Sequence, residues 1–364
     1  MSEEKLGDLR SRIDEIDDQI LGLLNERATC ATEIASAKLE SAEHGPPAFY
    51  RPDRESQLLT RLREVNKGPL TNEQIEQLFS EIISCCLSLE QPLTIGYLGP
   101  RGTYTESAAV KQFGHFAVTK SYSSIDEIFR EVASGNCHYG VVPVENSTEG
   151  MVNHTLDCLI ENEVKICAEV ELPIHHALIL RRDAKPKSLK KIFSHEQSLA
   201  QCRKWLDGNY RDVERIAVAS NAEAARLASG RRDSAAIAGI LAAEQYNLKV
   251  LHRNIEDESG NTTRFLVLGM QDVGASGNDK TSILVMASDQ PGALFKVLGP
   301  FQKHEINLSR IETRPSSRST WSYVFFIDFD GHETLDVIQT VLQEIRDVAI
   351  DVRSLGSYPK AMKT

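Results

Sequence analysis

Gly260-Asn261-Thr262-Thr263-Arg264-Phe265-Leu266-Val267-Leu268 reads as a polar turn that runs straight into an apolar, β-branched strand. A strand of this kind delivers a threonine hydroxyl and an arginine at its mouth, the posture of an active site. Upstream, residues 93 to 259 alternate strand and helix patterns. Downstream come a Gly/Ser/Asp-rich spacer at 271 to 279 and a self-contained module at 280 to 358. An all-helical segment, 1 to 91, precedes everything. Three modules are therefore expected, 1–91, 93–270 and 280–358, with this strand closing the middle one.

At 364 residues the chain exceeds one ordinary core. A hydrophobic fraction of 41% with 26% charged residues is that of a globular protein. The net charge of -11 argues against nucleic-acid and anionic-membrane partners, which select basic surfaces. Met1-Ser2-Glu3-Glu4-Lys5-Leu6-Gly7-Asp8 has no cationic stretch leading into an apolar core, and no run approaches a membrane span, so a cytosolic location is expected. Cysteines 30, 85, 86, 137, 158, 167 and 202 are scattered, odd in number and lack CxxC spacing. Neither a disulfide framework nor a zinc site is expected from them, and no metal or cofactor is invoked.

In the middle module Thr94-Ile95-Gly96-Tyr97-Leu98 is a short strand ending in Gly99-Pro100-Arg101-Gly102-Thr103-Tyr104-Thr105-Glu106. Thr103 and Glu106 have capping-box spacing, so a tight loop opens a helix whose free N–H groups suit a carboxylate. Similar boxes at Ser124/Glu127 and Ser220/Glu223 each precede a strand-like run, Tyr139 to Val144 and Ala235 to Ala238. This predicts a parallel α/β pattern. Glu145-Asn146-Ser147-Thr148-Glu149-Gly150 is the most polar strand exit, either a ligand loop or a helix cap. Ser194-His195-Glu196-Gln197 is a third exit, with His195 at its tip as a cap, a surface group or a catalyst.

In the helical segment Leu9, Ile13, Ile16, Ile20, Leu23, Arg27, Cys30, Ile34 and Lys38 recur at spacings of three and four, predicting one helix of about 35 residues. Arg27 and Lys38 interrupt its apolar stripe. They either snorkel outward or invite an anionic ligand between helices. A second helix starts near Pro52 and stops at Gly68. The third starts at a Thr71/Gln74 capping box and carries Cys86 and Glu90 on its apolar side.

This segment resembles the all-helical chorismate mutases along its whole length, through Arg10, Arg27, Lys38, Arg54, Glu55 and Glu90. The resemblance implies that cations bind the two carboxylates of chorismate while Lys38 and Glu90 contact the ether oxygen whose bond breaks. Cys86 stands where many members have Ser, and Arg51 where some have Asp. Arg10 and Arg27 are about 25 Å apart along one helix, too far for one small ligand. An interlocked helical dimer is therefore expected, with Arg10 supplied by the second chain. Glu90 can donate a hydrogen bond only if burial raises its pKa against the nearby cations.

Residues 93 to 270 resemble prephenate dehydratases through Gly99-Pro100-Arg101-Gly102-Thr103-Tyr104, the Glu145–Gly150 loop, Ser194-His195-Glu196-Gln197 and Thr263-Arg264-Phe265. The resemblance implies two α/β lobes like those of periplasmic binding proteins, with a cleft that takes prephenate to phenylpyruvate. The chain is expected to cross between lobes near Pro173 and return near Leu251. Thr263 is the implied catalytic residue, with Thr103, Asn146, Ser147, Thr148, Ser194, Gln197 and Phe265 contacting substrate. Glu145, kept neutral by burial, is a candidate proton source. Arg264 either binds a carboxylate or only locks the loop.

The last module reads as βαββαβ, with strands 282–287, 308–313, 322–328 and 350–355, a ferredoxin-like sandwich with one open sheet face. Gly292-Ala293-Leu294-Phe295 and Glu312-Thr313-Arg314-Pro315 resemble the two signature segments of the amino-acid-binding ACT regulatory domain. The resemblance implies phenylalanine as effector at a dimer interface; the plainer reading is a domain that only dimerises. Together the three resemblances imply two successive activities in phenylalanine biosynthesis under end-product inhibition. The alternatives are a cytosolic binding or sensor protein, and a dehydratase with a non-catalytic helical arm.

Overall fold

In the computed structural model, described over residues 3–41, 48–288, 290–315 and 323–361, the helical segment forms three helices. Helix α1, Glu3–Glu40, is unbroken over 38 residues, about 57 Å at 1.5 Å per residue. It packs on α3; Ala31 and Ala35 are its buried residues, while on α3 Cys86 is buried and the buried Ser84 donates to Phe113 O. The rest of its apolar stripe stays open, with Leu9, Ile13, Ile16, Ile20 and Leu23 between 41% and 65% exposed. Helix α2, Pro52–Val65, starts with proline in its first turn. Helix α3, Asn72–Glu90, opens in the predicted box: Thr71 Oγ1 accepts from Gln74 N, and Gln74 Oε1 accepts from Thr71 N. No described helix is long and apolar enough to cross a membrane.

The chain divides into two compact units. One is Met1–Arg51, Leu59–Leu93 and Phe113–Val118; the other is Pro52–Leu58, Thr94–Gln112 and Thr119–Thr364. The second unit therefore holds most of the middle module and the whole C-terminal module, together with the first turns of the second helix.

Its first lobe runs β1 (Thr94–Leu98), α4 (Tyr104–Phe113), β2 (Val118–Tyr122), α5 (Ile125–Ala133), β3 (Tyr139–Asn146), β4 (Gly150–Met151), α6 (Asn153–Glu161) and β5 (Lys165–Pro173). The second lobe runs β6 (Ala177–Arg181), β7 (Lys191–Ser194), α7 (Glu196–Gln201), α8 (Arg203–Asn209), β8 (Glu214–Ala217), α9 (Asn221–Ser229), β9 (Ser234–Ala238), α10 (Ile240–Gln245) and β10 (Leu248–His252). Strand β11, Thr262–Gly269, then returns to the first sheet, between β3 and β5, so the crossings fall where expected.

The sheet orders are β2-β1-β3-β11-β5 and β10-β6-β9-β7-β8. Strand β1 pairs β3 in parallel, and β7 pairs β8 and β9 in parallel, as strand–helix–strand repeats require. The parallel expectation fails at the crossings. Strand β11 is antiparallel to β3 and β5, and β6 is antiparallel to β10 and β9. In each lobe the strand that crosses out lies beside the strand that crosses in, and neighbours of that kind must run oppositely.

The C-terminal module is β12 (Asp279–Ala287), α11 (Ala293–Lys303), β13 (Leu308–Pro315), β14 (Tyr323–Asp330), α12 (Asp336–Arg346) and β15 (Asp351–Pro359), with sheet order β13-β14-β12-β15. Ser322, the predicted first residue of the third strand, lies outside the described residues. Helices α11 and α12 cover one sheet face through Val285, Phe325, Ile327, Ile338 and Leu342. The other face, expected open, is covered. Leu284, Val324, Phe326, Leu355 and Tyr358 share one core with Ile128, Phe129, Leu156, Leu159, Leu266 and Leu268 of the first lobe. Period-two alternation on β14 gives both faces apolar residues, so each needs a partner. At the junction Gly356 takes φ +134, and a Cβ there would come within 2.5 Å of the Ile166 carbonyl oxygen.

Candidate active sites

In the second unit the register of β11 against β3 decides which side chains meet. Thr263 lies opposite Asn146, and Arg264 opposite Glu145. Successive residues of a strand point to opposite faces, so these two pairs occupy opposite sides of the sheet. On one side Asn146 Nδ2 donates to Thr263 Oγ1 at 2.8 Å and to Asn261 Oδ1 at 2.8 Å. Asn146 Oδ1 accepts from the Thr148 hydroxyl at 2.6 Å and the Thr148 amide at 3.0 Å. Ser147 closes the loop, its amide donating to Thr262 O and its hydroxyl accepting from Thr262 N. Gln201 of the second lobe reaches Thr148 Oγ1 at 3.4 Å, and its Oε1 lies 2.8 Å from His176 Nε2. Burial holds His176 below the ordinary histidine pKa, and its Nδ1 lies 2.8 Å from the Tyr104 hydroxyl.

On the opposite side Arg264 is 7% exposed. Its Nε donates to Glu169 Oε2 at 2.7 Å, its Nη1 to Asp328 Oδ2 at 2.8 Å and its Nη2 to the Tyr358 hydroxyl at 3.1 Å. Arg264 is thus engaged through Nε, Nη1 and Nη2 on the sheet face away from Thr263. Burial opposes the Glu169 carboxylate, but Arg264 and Lys280 together hold its pKa below the usual value. Lys280 Nζ donates to both Glu169 oxygens at 2.8 Å. Glu145 is ion-paired with Arg310 of β13, and Arg310 Nε lies 3.8 Å from Asp328 Oδ2. Glu145 is thus ion-paired and on the sheet face opposite Thr263.

Three further residues expected at the site make internal contacts. Ser194 is fully buried and donates to Asn221 Oδ1 at 2.9 Å and Ile237 O at 3.2 Å. Phe265 is a core residue, 1% exposed. The Thr103 hydroxyl donates to Leu98 O at 3.0 Å, while Glu106 turns to Gly102 N and the Tyr97 hydroxyl. Gln197 is half-buried in the first turn of α7, and His195 precedes that helix without a side-chain cap bond.

In the helical unit Lys38 Nζ lies 3.6 Å from Glu90 Oε2, longer than a hydrogen bond. That oxygen is buried and has no hydrogen-bond partner among the described residues. Burial raises the Glu90 pKa against the pull of Lys38 and Arg27, the direction that the donor role requires. The structure therefore gathers Lys38, Glu90 and Arg27, with Cys86 buried on the same helix as Glu90. Arg10 is exposed on the distant turn of α1. On α2 and its cap, Arg51 and Arg54 are exposed, and burial lifts Glu55 to about 7.

At the effector segments Gly292 takes φ +80 and caps α11, and Phe295 is 81% exposed. Ala293 and Leu294 pack partly against the α11/α12 core. On β13 Glu312 shares a side with Arg310 and Arg314, while Thr313 and Pro315 are exposed on the other. Arg314 is ion-paired with Asp157 of α6, its Nη2 2.6 Å from the carboxylate, so it links β13 to the first lobe.

One group among the described residues has donor atoms close enough for an ion: Asp126, His154 and Cys158, within 4.8 Å of one another. His154 Nε2 already lies 2.6 Å from Asp126 Oδ2, and burial with Asp126 pushes the Cys158 thiol up to about 12. The group holds together as a hydrogen-bonded cluster with its thiol protonated.

The residues that sequence reasoning missed are Glu169, Lys280, Asp328, Arg310, Gln201 and His176. Two left a signal: Glu169 and Asp328 are charges flanked by apolar residues, in Cys167-Ala168-Glu169-Val170 and Phe326-Ile327-Asp328-Phe329. A buried lone charge demands a partner.

A two-lobed α/β module with a polar strand-mouth site, docked on a ferredoxin-like domain and preceded by an all-helical unit, defines a multidomain enzyme of small-molecule metabolism. Residues 9–91 match chorismate mutase type II, residues 95–273 prephenate dehydratase and residues 281–347 the ACT domain. A bifunctional chorismate mutase/prephenate dehydratase of Pseudomonas aeruginosa is 52% identical over 99% of this chain and 99% of its own. The chain belongs to the bifunctional chorismate mutase/prephenate dehydratase family. A crystal structure of prephenate dehydratase from Arthrobacter aurescens in complex with L-Phe is 34% identical with TM-score 0.68, covering 74% of this chain and 90% of its own. GqqA, described as a quorum-quenching acylase, matches at 26% identity and TM-score 0.68, over 74% of this chain and 98% of its own.

Proposed function

We propose that the helical unit rearranges chorismate to prephenate and that the second unit converts prephenate to phenylpyruvate, CO2 and water, with phenylalanine as inhibitor through the ACT domain. Because the acylase GqqA shares this fold, fold alone does not carry the second activity. The Thr263–Asn146 pair carries it. Asn146 donates to Thr263 Oγ1, so the threonine's own proton is directed away from it, to the departing ring hydroxyl. Aromatisation drives the reaction, and the site has to bind, orient and assist that departure.

In the helical unit no covalent intermediate is needed. Lys38 donates to the breaking ether oxygen, and the buried, unpartnered Glu90 oxygen, when protonated, donates beside it. The exposed α1 stripe supports a dimer in which a second copy covers Leu9, Ile13, Ile16 and Ile20 and brings Arg10 to the site. All seven cysteines are unpaired, which fits a reducing cytosol.

The test supplies chorismate and, separately, prephenate to the purified protein. Lys38→Ala is expected to stop chorismate loss while sparing prephenate turnover. Thr263→Ala is expected to slow phenylpyruvate formation by about 100-fold or more and let prephenate accumulate. Mixing Arg10→Ala with Lys38→Ala chains should restore about a quarter of the mutase sites if the site is shared between two copies. No restoration would mean that each chain builds its own.

A further inference from the structure

The face of the sheet behind Thr263 carries three cations, Arg264, Lys280 and Arg310, and three anions, Glu145, Glu169 and Asp328, joined in one network. It is neutral as a whole, and its centre is buried: Arg264, Glu169 and Asp328 are 7%, 5% and 8% exposed. Lys280, Arg310 and Asp328 come from the C-terminal domain, and the other three from β3, β5 and β11 of the first lobe. Buried ion clusters are poor stabilisers compared with apolar residues of equal volume, so stability does not account for six charges here. What such a cluster does supply is direction, because each guanidinium has a fixed fork of donors.

We propose that the C-terminal domain completes the dehydratase site from beneath: Arg310 and Asp328 hold Glu145 and Arg264, the register pair that backs Asn146 and Thr263, and thereby position the threonine. Glu145 and Arg310 are positioning residues on this account, acting through the backbone of the two strands. The inference rests on the reading of Thr263 given above. It also assigns a route for regulation. Arg310 lies on β13, two residues before Glu312 of the effector segment, and β13 is the edge strand of its sheet. A shift of β13 that follows effector binding must move Arg310, and Arg310 is bonded to the strand pair.

The experiment compares full-length Arg310→Met, Arg310→Lys, Arg353→Met and Thr263→Ala, with chorismate turnover by the same sample as the measure of intact protein. Arg353 bonds the Leu159 carbonyl between the same two modules but outside the cluster, so its variant reports docking alone. Arg310→Met is expected to lower kcat on prephenate by about 10-fold to 100-fold, with KM within about two-fold. It should also lose its response to phenylalanine. Arg310→Lys should recover part of both, and Arg353→Met should behave as the parent. Asp328→Asn, equal in shape, runs the same test if Arg310→Met does not fold. Unchanged kcat and inhibition in Arg310→Met, or in Asp328→Asn where that variant replaces it, beside an inactive Thr263→Ala, overturn the inference and leave the site standing. An active Thr263→Ala instead overturns the site itself.

Discussion

The two candidate sites solve the same problem, holding an anionic substrate, in opposite ways. In the helical unit Lys38 and Glu90 stand 3.6 Å apart with a buried oxygen unsatisfied, and the helix that carries Lys38 exposes most of its apolar stripe. In the second unit the Thr263–Asn146 pair is bonded on its own face and backed on the other by a closed charge cluster. A helix presents side chains at fixed spacing but leaves the gap between them for a ligand or a second copy to fill. A strand pair fixes partners by register before any ligand arrives. The first site is therefore poised for assembly, and the second is organised by the fold.

The largest effect that tests this contrast is on stability. Glu169→Ala leaves Arg264 and Lys280 facing each other in the interior, and breaking such a buried pair costs about 3 to 5 kcal/mol. Chemical denaturation of parent and variant reads this directly, and a loss under 1 kcal/mol would show that the cluster is solvated. Because the folded pKa of Glu169 lies below its ordinary 4.5, its stabilisation is present above that value and lost as pH falls through the folded pKa. Acid titration of the parent should show that loss, and Glu169→Gln should flatten it.

Smaller effects separate the two sites by activity. Asn146→Ala removes the donor to Thr263 and should lower dehydratase kcat by about 10-fold, the scale of one buried hydrogen bond, with mutase turnover intact. Equal loss of both activities would mean general unfolding. In the helical unit burial shifts Glu90 toward its protonated form, the form that the proposed donor role needs, so on that proposal mutase activity should fall as pH rises through its pKa. Glu90→Gln should be nearly flat over the same range, and an unchanged profile would remove Glu90 from the mechanism. Smallest of all, removing the exposed Arg226–Glu223 pair by Arg226→Ala should leave the thermal melting midpoint essentially where it is in the parent, because solvent screens such a pair.

Much of this was legible in the chain. Spacing alone placed the capping box at Thr71 and the strands at Thr94–Leu98 and around Thr263, because local hydrogen bonding and apolar periodicity are written within a few residues. The ordered motifs located the Asn146 and Thr263 loops, and the interrupted stripe of α1 marked Lys38. What the chain could not show was which side of a strand each residue would take and what would meet it there. The motifs assign Glu145 and Thr263 to one site, yet one step of strand alternation puts them on opposite faces. Arg264 finds Glu169, 95 positions away, and Asp328, 64 positions away, only when three strands and a second domain close on one another. The sequence by itself determined the elements, their capping and the residues able to do chemistry, since those depend on near neighbours. Only the tertiary structure decided that the C-terminal sheet is covered on both faces and that strand β11 is braced from behind, since register and domain docking bring together charges that no local spacing connects.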